Sequence, residues 1–211
     1  MNENRIIKDL NTIVDFIKQD KVFQNGCSIA FDKQKNPFII FQLTKTLHKS
    51  QYPYELSPEI TRPLQETKYF AYYLLKNDDN YEKIMVHSAN IIYPVTNDIT
   101  ARLATICVKN ELGYHKGIGS TLLKLAQDDM KKRNFLYMDA RFFPFSKFIN
   151  DNAALKFYSK LGFKFPFKCG VGELIAKPLD NFHFTKVLID DLNFQITLLM
   201  PSKMSEKEIN K

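Results

Sequence analysis

The chain has 211 residues, 45% of them hydrophobic and 25% charged, with a formal net charge of +7. That is the make-up of one ordinary soluble globular domain, and a second full core would be cramped in this length. It excludes a helical membrane protein, because no run of eighteen apolar residues occurs, and a low-complexity chain. The opening Met1-Asn2-Glu3-Asn4-Arg5 leads into an amphipathic pattern and does not read as a secretory signal. Cys27, Cys107 and Cys169 are odd in number and in no ligand spacing, so free thiols in a reducing, cytoplasmic setting are expected. The lysines are spread rather than blocked. The positive charge therefore reads as a solvated surface that attracts an anionic ligand, in preference to a nucleic-acid groove.

Residues 5–18 carry Ile6, Leu10, Ile13 and Ile17 at helical spacing, which predicts a first amphipathic helix. Residues 27–32 and 37–44 read as short strands around the turn Asp32-Lys33-Gln34-Lys35-Asn36-Pro37. Pro53, Pro58 and Pro63 make 45–67 a loop, with a short helix starting near Ser57. Three β-rich runs follow, Lys68–Leu75, Lys83–Tyr93 and Thr100–Val108, and their short links predict antiparallel neighbours. A helix over 118–133 is expected to bury Ile118, Leu122, Leu125, Ala126 and Met130, with Asn134 in a left-handed cap. Leu136 to Arg141 alternates as a strand, and an aromatic stretch from Phe142 to Phe148 precedes a second helix from Asn152 to Leu161, ended by Gly162. Further strands are expected at 163–167, 172–177, 183–189 and 193–199, before a charged tail from Ser202. These elements imply three parts of one domain. Residues 1–67 form an N-terminal helix, short strands and loops, 68–200 form the core, and 201–211 form the tail.

Two stretches carry the chemistry. Tyr114-His115-Lys116-Gly117-Ile118-Gly119-Ser120-Thr121 runs from an apolar strand into a helix. Bare backbone amides at such a start, aided by the helix dipole, cradle an anion. Some thirty residues on stands Ala154-Leu155-Lys156-Phe157-Tyr158-Ser159-Lys160-Leu161-Gly162-Phe163, with a tyrosine able to supply a proton. An anion cradle and a proton donor together suit a phosphate-bearing acyl donor with a thiol leaving group. A nucleotide P-loop fails, because Gly119 stands where that loop needs lysine before Ser120-Thr121. A dinucleotide-binding turn has Gly117, Gly119 and a suitably spaced Asp139, but Leu122 replaces its third glycine.

The paired stretches resemble the GNAT superfamily of acyl-CoA N-acyltransferases. Its cradle reads Gln/Arg-x-x-Gly-x-Gly/Ala, and its later helix Asn-x-x-Ala-x-x-x-Tyr-x-x-x-Gly-Phe. Gly117 and Gly119 match the first, and Ala154, Tyr158, Gly162 and Phe163 the second. The resemblance covers about 100–165, extends back to 68, and is absent from 1–67. Tyr114 departs from the usual Gln/Arg, the turn after Val108 is one residue longer, and the motif asparagine falls on Asp151, between Asn150 and Asn152.

The resemblance implies an α/β (α+β) fold with a mixed, mostly antiparallel, centrally splayed sheet flanked by helices. It implies an acetyl-CoA-dependent N-acetyltransferase, a monomer or homodimer with no metal, acting on a small-molecule or peptide amine by direct attack in a ternary complex. Backbone at Cys107 and Val108 would hold the pantetheine arm and thioester. Tyr114, His115, Lys116, Gly117, Ile118, Gly119, Ser120, Thr121 and Asn152 would line the rest of the donor site. Tyr158 would be the general acid. The base is open among Glu111, which follows the splayed strand, His115, Asp139, His87 and water alone. Phe142, Phe143, Phe145 and Phe148 either wall the acceptor or pack on the sheet. Two other classes remain: a non-catalytic acyl-CoA-binding module and a basic nucleic-acid-associated protein. No metal-ligand spacing is visible among the four histidines, and no membrane partner is implied.

Overall fold

A computed structural model of the chain describes residues 5–23, 27–47, 63–78, 80–94, 100–142, 157, 172–178, 185–188 and 196–200. Helix α1 spans Leu10–Gln19. It starts where Asp9 Oδ2 accepts from Thr12 N at 2.9 Å and from its hydroxyl at 2.6 Å, an N-cap that satisfies one of the otherwise unpaired first-turn amides. Residues 5–9 of the expected helix are not part of it. Instead Ile6 makes a bridge to Leu75 and Ile7 N donates to Leu74 O at 2.9 Å, so the segment is tied to a sheet edge before the helix begins.

The strands are β1 (Cys27–Phe31), β2 (Pro37–Leu47), β3 (Leu64–Asn77), β4 (Asn80–Pro94), β5 (Thr100–Val108), β6 (Tyr137–Phe142), β7 (Gly172–Pro178), β8 (Thr185–Leu188) and β9 (Ile196–Met200). They form one sheet in the order β7-β6-β5-β4-β3-β2-β1-β9-β8. Only β1 with β9 and β5 with β6 run parallel; all other neighbours are antiparallel. The fold is therefore the expected mixed, mostly antiparallel sheet with helices against it. The β3–β4 pair is the spine, fourteen and fifteen residues joined by a turn in which Asp78 takes a left-handed conformation.

Both ends of the loop expected at 45–67 belong to strands instead. Lys45–Leu47 continues β2, and Leu64–Thr67 begins β3 directly after Pro63. The strand ends are held by a polar ladder: Thr44 and Thr67 hydroxyls lie 2.9 Å apart, and Thr67 lies 3.0 Å from the Tyr93 hydroxyl. Cross-strand side-chain pairs of this kind stabilise a sheet whatever the local propensity. The expected short helix near Ser57 and the strand at 163–167 fall outside the described residues. So does the second helix, except Phe157, which is helical and packs against the core.

Helix α2, Ile118–Lys132, crosses one face of the sheet. Its buried stripe Ile118, Leu122, Leu125, Ala126 and Met130 is the expected one, with Leu123 added, and it packs on Tyr69, Ala71, Ala89, Ile91 and Leu103. Asn134 closes it with φ 66°. The opposite face carries α1, whose Ile13 and Ile17 pack with Ile29, Phe31, Ile39 and Leu74. Burying such side chains contributes about 1.5–3 kcal/mol each, an upper figure for an extended unfolded reference.

The sheet is splayed at β5. Among the described residues, strand β6 pairs with β5 only from Thr100 to Leu103, and beyond Ala140 its partner is β7 alone. The second half of β5, up to Val108, is held on its other side by β4. A bulge between Asn90 and Ile91 marks the point where β5 changes register against β4.

Candidate functional site

The free half of β5 leads into a 3-10 turn at Glu111–Gly113 and then α2. Asn110 caps the turn, its Oδ1 accepting from Leu112 N at 3.0 Å. Gly113 lies so close to β4 that an added Cβ would sit 2.7 Å from the Val86 carbonyl oxygen, a close backbone approach that requires glycine. A cleft of about 340 Å³ opens here, lined by Val108, Lys109, Asn110, Glu111 and Tyr114. Glu111 and Tyr114 are exposed at its rim.

The start of α2 has an unusual charge pattern. Gly117 is the N-cap at φ 81°, and among the described residues no side chain caps the first-turn amides. Helices commonly place Asp or Glu here to complement the positive dipole end. This one has no acidic residue in its first turn. What it has nearby is cationic. Lys116 is 95% buried and donates to the Gln34 side-chain carbonyl. The Lys33 stem lies against Gly117, with Cγ and Cε each 3.2 Å from where a Cβ would stand. A cation at a helix N-terminus is unfavourable by about 0.3–1 kcal/mol unless an anion lies between them.

Both lysine positions are set by the β1–β2 turn, which the sequence places as a turn but not at this site. Asp32 organises it: Oδ1 accepts from Gln34 N and Asn36 N, each at 2.8 Å, and Oδ2 from Asn36 Nδ2 at 3.0 Å and the Tyr73 hydroxyl at 2.5 Å. Asp32 and Asn36 are buried. The turn is then fastened to the helix start by Lys33 N donating to Lys116 O at 2.9 Å. The Asp-x-x-x-Asn spacing was the available signal, since both side chains bond turn backbone readily.

Gly119 has a different reason to be small. A Cβ there would lie 2.9 Å from Cε1 and Nε2 of His87, which sits on β4 beneath the helix. His87 is 7% exposed, and among the described residues its Nδ1 has no hydrogen-bond partner. Burial pushes its pKa down to about 4, so the ring is neutral at physiological pH.

The structure thus brings together Cys107, Val108, Glu111, Tyr114, His115, Lys116, Gly117, Ile118, Gly119, Ser120 and Thr121 along one strand–turn–helix path. Cys107 is a free thiol 3.2 Å from the Ser88 hydroxyl. Thr121 N donates to Gly117 O at 3.0 Å and opens the helical ladder. Of the base candidates, Glu111 and His115 are exposed beside the cleft and α2, His87 is buried under Gly119, and Asp139 pairs through its backbone with Arg102. Tyr158, Asn152 and the aromatics from Phe143 to Phe148 lie outside the described residues. No cluster of metal-ligating side chains occurs, and no helix is long and apolar enough to cross a membrane, among the described residues.

No protein-family model matches the chain, and no curated protein matches it in sequence. Solved structures do. PaiA N-acetyltransferase from Thermoplasma acidophilum, in complex with coenzyme A, is 21% identical with a TM-score of 0.38 over 53% of this chain, which spans 59% of that protein. IAA acetyltransferase from Bacillus cereus is 17% identical with a TM-score of 0.38, covering 65% of this chain and 99% of its own. Ard1 from Thermoplasma volcanium is 16% identical with a TM-score of 0.37, covering 52% and 69%. At these overlaps the likeness carries no argument about activity, which has to rest on the chain's own geometry.

Proposed function

We propose that this protein is an acetyl-CoA-dependent N-acetyltransferase that joins the acetyl donor and an amine acceptor in one ternary complex. One observation carries the reading: an uncapped, acid-free helix start, flanked by Lys33 and Lys116, directly follows a strand half that has parted from its parallel neighbour. The first feature suits a diphosphate and the second a slim linear arm that seeks backbone partners.

In this reading the amides from Lys116 to Ser120 hold the diphosphate, with Tyr114 and His115 at the rim; the Thr121 amide, expected to join them, is taken up by Gly117 O. The pantetheine arm hydrogen-bonds to backbone at Cys107 and Val108. A neutral amine attacks the thioester carbonyl, the C–N bond forms, and the C–S bond breaks. Tyr158 gives its proton to the departing thiolate and regains one from solvent. A phenol with a reference pKa of about 10 stays protonated at neutral pH and can donate to a thiolate of pKa about 8.5. Glu111, at the mouth of the cleft, takes the proton that the incoming ammonium sheds before it attacks, directly or through water, and the nitrogen's second proton passes to solvent as the amide forms. Asn152, at the start of the helix expected from the sequence over 152–161, would contact the donor as well.

The test is CoA release from acetyl-CoA across a panel of amines, with Tyr158→Phe beside the wild type. General-acid removal should lower kcat by about 100-fold or more while the Kd for CoA stays unchanged. Unchanged turnover removes Tyr158 from the mechanism. CoA binding without turnover of any amine favours a binding module.

A further inference from the structure

The face of the sheet opposite α2 carries a polar row that the donor site does not use. Glu66 and Lys68 alternate with Thr67 and Tyr69 along β3, and Tyr69 belongs to the core under α2, so Glu66 and Lys68 point the other way. The Glu66 side chain is 9% exposed. Its Oε1 accepts from Asn90 Nδ2 at 2.7 Å. Its Oε2 lies 3.2 Å from Lys45 Nζ and 3.4 Å from Lys68 Nζ, yet among the described residues has no hydrogen bond of regular geometry. Among the described residues two ammoniums therefore share one buried carboxylate oxygen and leave one positive charge in excess. They are 45% and 37% exposed, so this is the charge a ligand meets.

The register fixes where the cluster stands. Lys68 pairs with Asn90, and Asn90 with Thr105, the first of the β5 residues beyond the bulge. Lys68 on β3 is thus two strands, roughly 10 Å, from the free half of β5, and Lys45 on β2, which pairs with Glu66 and through Ile92 stands level with Arg102, is three strands, roughly 14 Å, from β5. Those distances match an extended segment of about three to four residues or its equivalent.

We infer that Lys45 and Lys68 select the acceptor: an amine with a carboxylate some 10–14 Å from its reactive nitrogen, such as a short peptide with an acidic side chain, rather than a polyamine. The inference rests on the acyltransferase reading, which puts the thioester at the free half of β5. Donor and acceptor then approach from opposite faces of the sheet, the diphosphate on the α2 side and the anionic group on the Lys45 side. Glu66 is a positioning residue that holds the two ammoniums together.

The experiment compares the tripeptides Ala-Gly-Glu and Ala-Gly-Gln, both C-terminally amidated, and spermidine as acceptors at saturating acetyl-CoA. It uses the wild type, Lys45→Met/Lys68→Met, and Lys45→Met/Glu66→Gln/Lys68→Met, which leaves no unpaired buried charge. CoA affinity is measured for each protein. The wild type should favour the glutamate peptide over both others by at least 10-fold in kcat/KM. Both variants should lose that preference through a raised KM, with kcat and CoA affinity unchanged. Equal use of the glutamine peptide or spermidine by the wild type overturns the inference, as does a preference that survives in the variants with CoA affinity intact. A wild type that fails to bind CoA overturns the acyltransferase reading, and this inference with it.

Discussion

Replacing Lys33 by Met keeps the aliphatic stem that lies against Gly117 and removes only the ammonium. Two effects of opposite sign follow. In the free protein a cation leaves the positive end of α2, where neither a capping side chain nor an acid offsets it, so stability should hold or rise by about 0.3–1 kcal/mol. In the CoA complex a charge-assisted phosphate contact worth about 1.5–3 kcal/mol is lost. With about 1.4 kcal/mol per factor of ten, the Kd for CoA should rise by about 10- to 100-fold. Calorimetric titration with CoA at two salt concentrations, beside urea unfolding of the free proteins, reads both effects. The affinity loss should shrink as salt rises, since partly exposed charges are screened. Undiminished CoA affinity in the variant, or a variant less stable than the wild type, would refute the idea that the β1–β2 turn carries Lys33 to the helix end to meet an anion.

Gly119→Ala should destabilise the fold by about 1–3 kcal/mol, because its Cβ would stand 2.9 Å from the His87 ring; His87→Ala in the same background should recover part of that loss in urea melts. The folded pKa of His87, about 4, lies below the unfolded value of 6.5, so the fold prefers the neutral ring. Its contribution is complete above pH 6.5 and declines as pH falls toward 4, by about 3 kcal/mol over the whole window. Stability measured between pH 7 and 5, before most carboxylates titrate, should fall in the wild type and stay flatter in His87→Asn; parallel profiles would remove His87 as the cause.

Much of the fold was legible because its periodicities are clean. The stripe Ile118, Leu122, Leu125, Ala126 and Met130 defines α2, and the short links among β3, β4 and β5 dictate antiparallel pairing. The ends of β2 and β3 were hidden, because Pro63 suggests loop while the pairing of Thr44, Thr67 and Tyr93 is non-local. Glycines were legible as points of close approach, but not in what they approach. Gly117 supplies a positive φ, Gly119 makes room for an imidazole from β4, and Gly113 makes room for a backbone carbonyl. Lys116 was legible at the helix start, but Lys33 was not, because Lys33 and Gly117 are brought together only when the Asp32-centred turn folds onto α2. Glu66, Lys45 and Lys68 give no motif at all, since their association depends on strand register.

The central claim is that the amides at Gly117 and Gly119 bind the diphosphate of CoA. Titration of the wild-type protein with CoA, with 4′-phosphopantetheine and with unphosphorylated pantetheine tests it most directly. The account predicts saturable binding that is tightest for CoA, weaker for the shorter monophosphate and weakest for pantetheine, with Gly117→Val lowering CoA affinity to the pantetheine level. Equal affinity for CoA and pantetheine, or no binding of CoA, would contradict it.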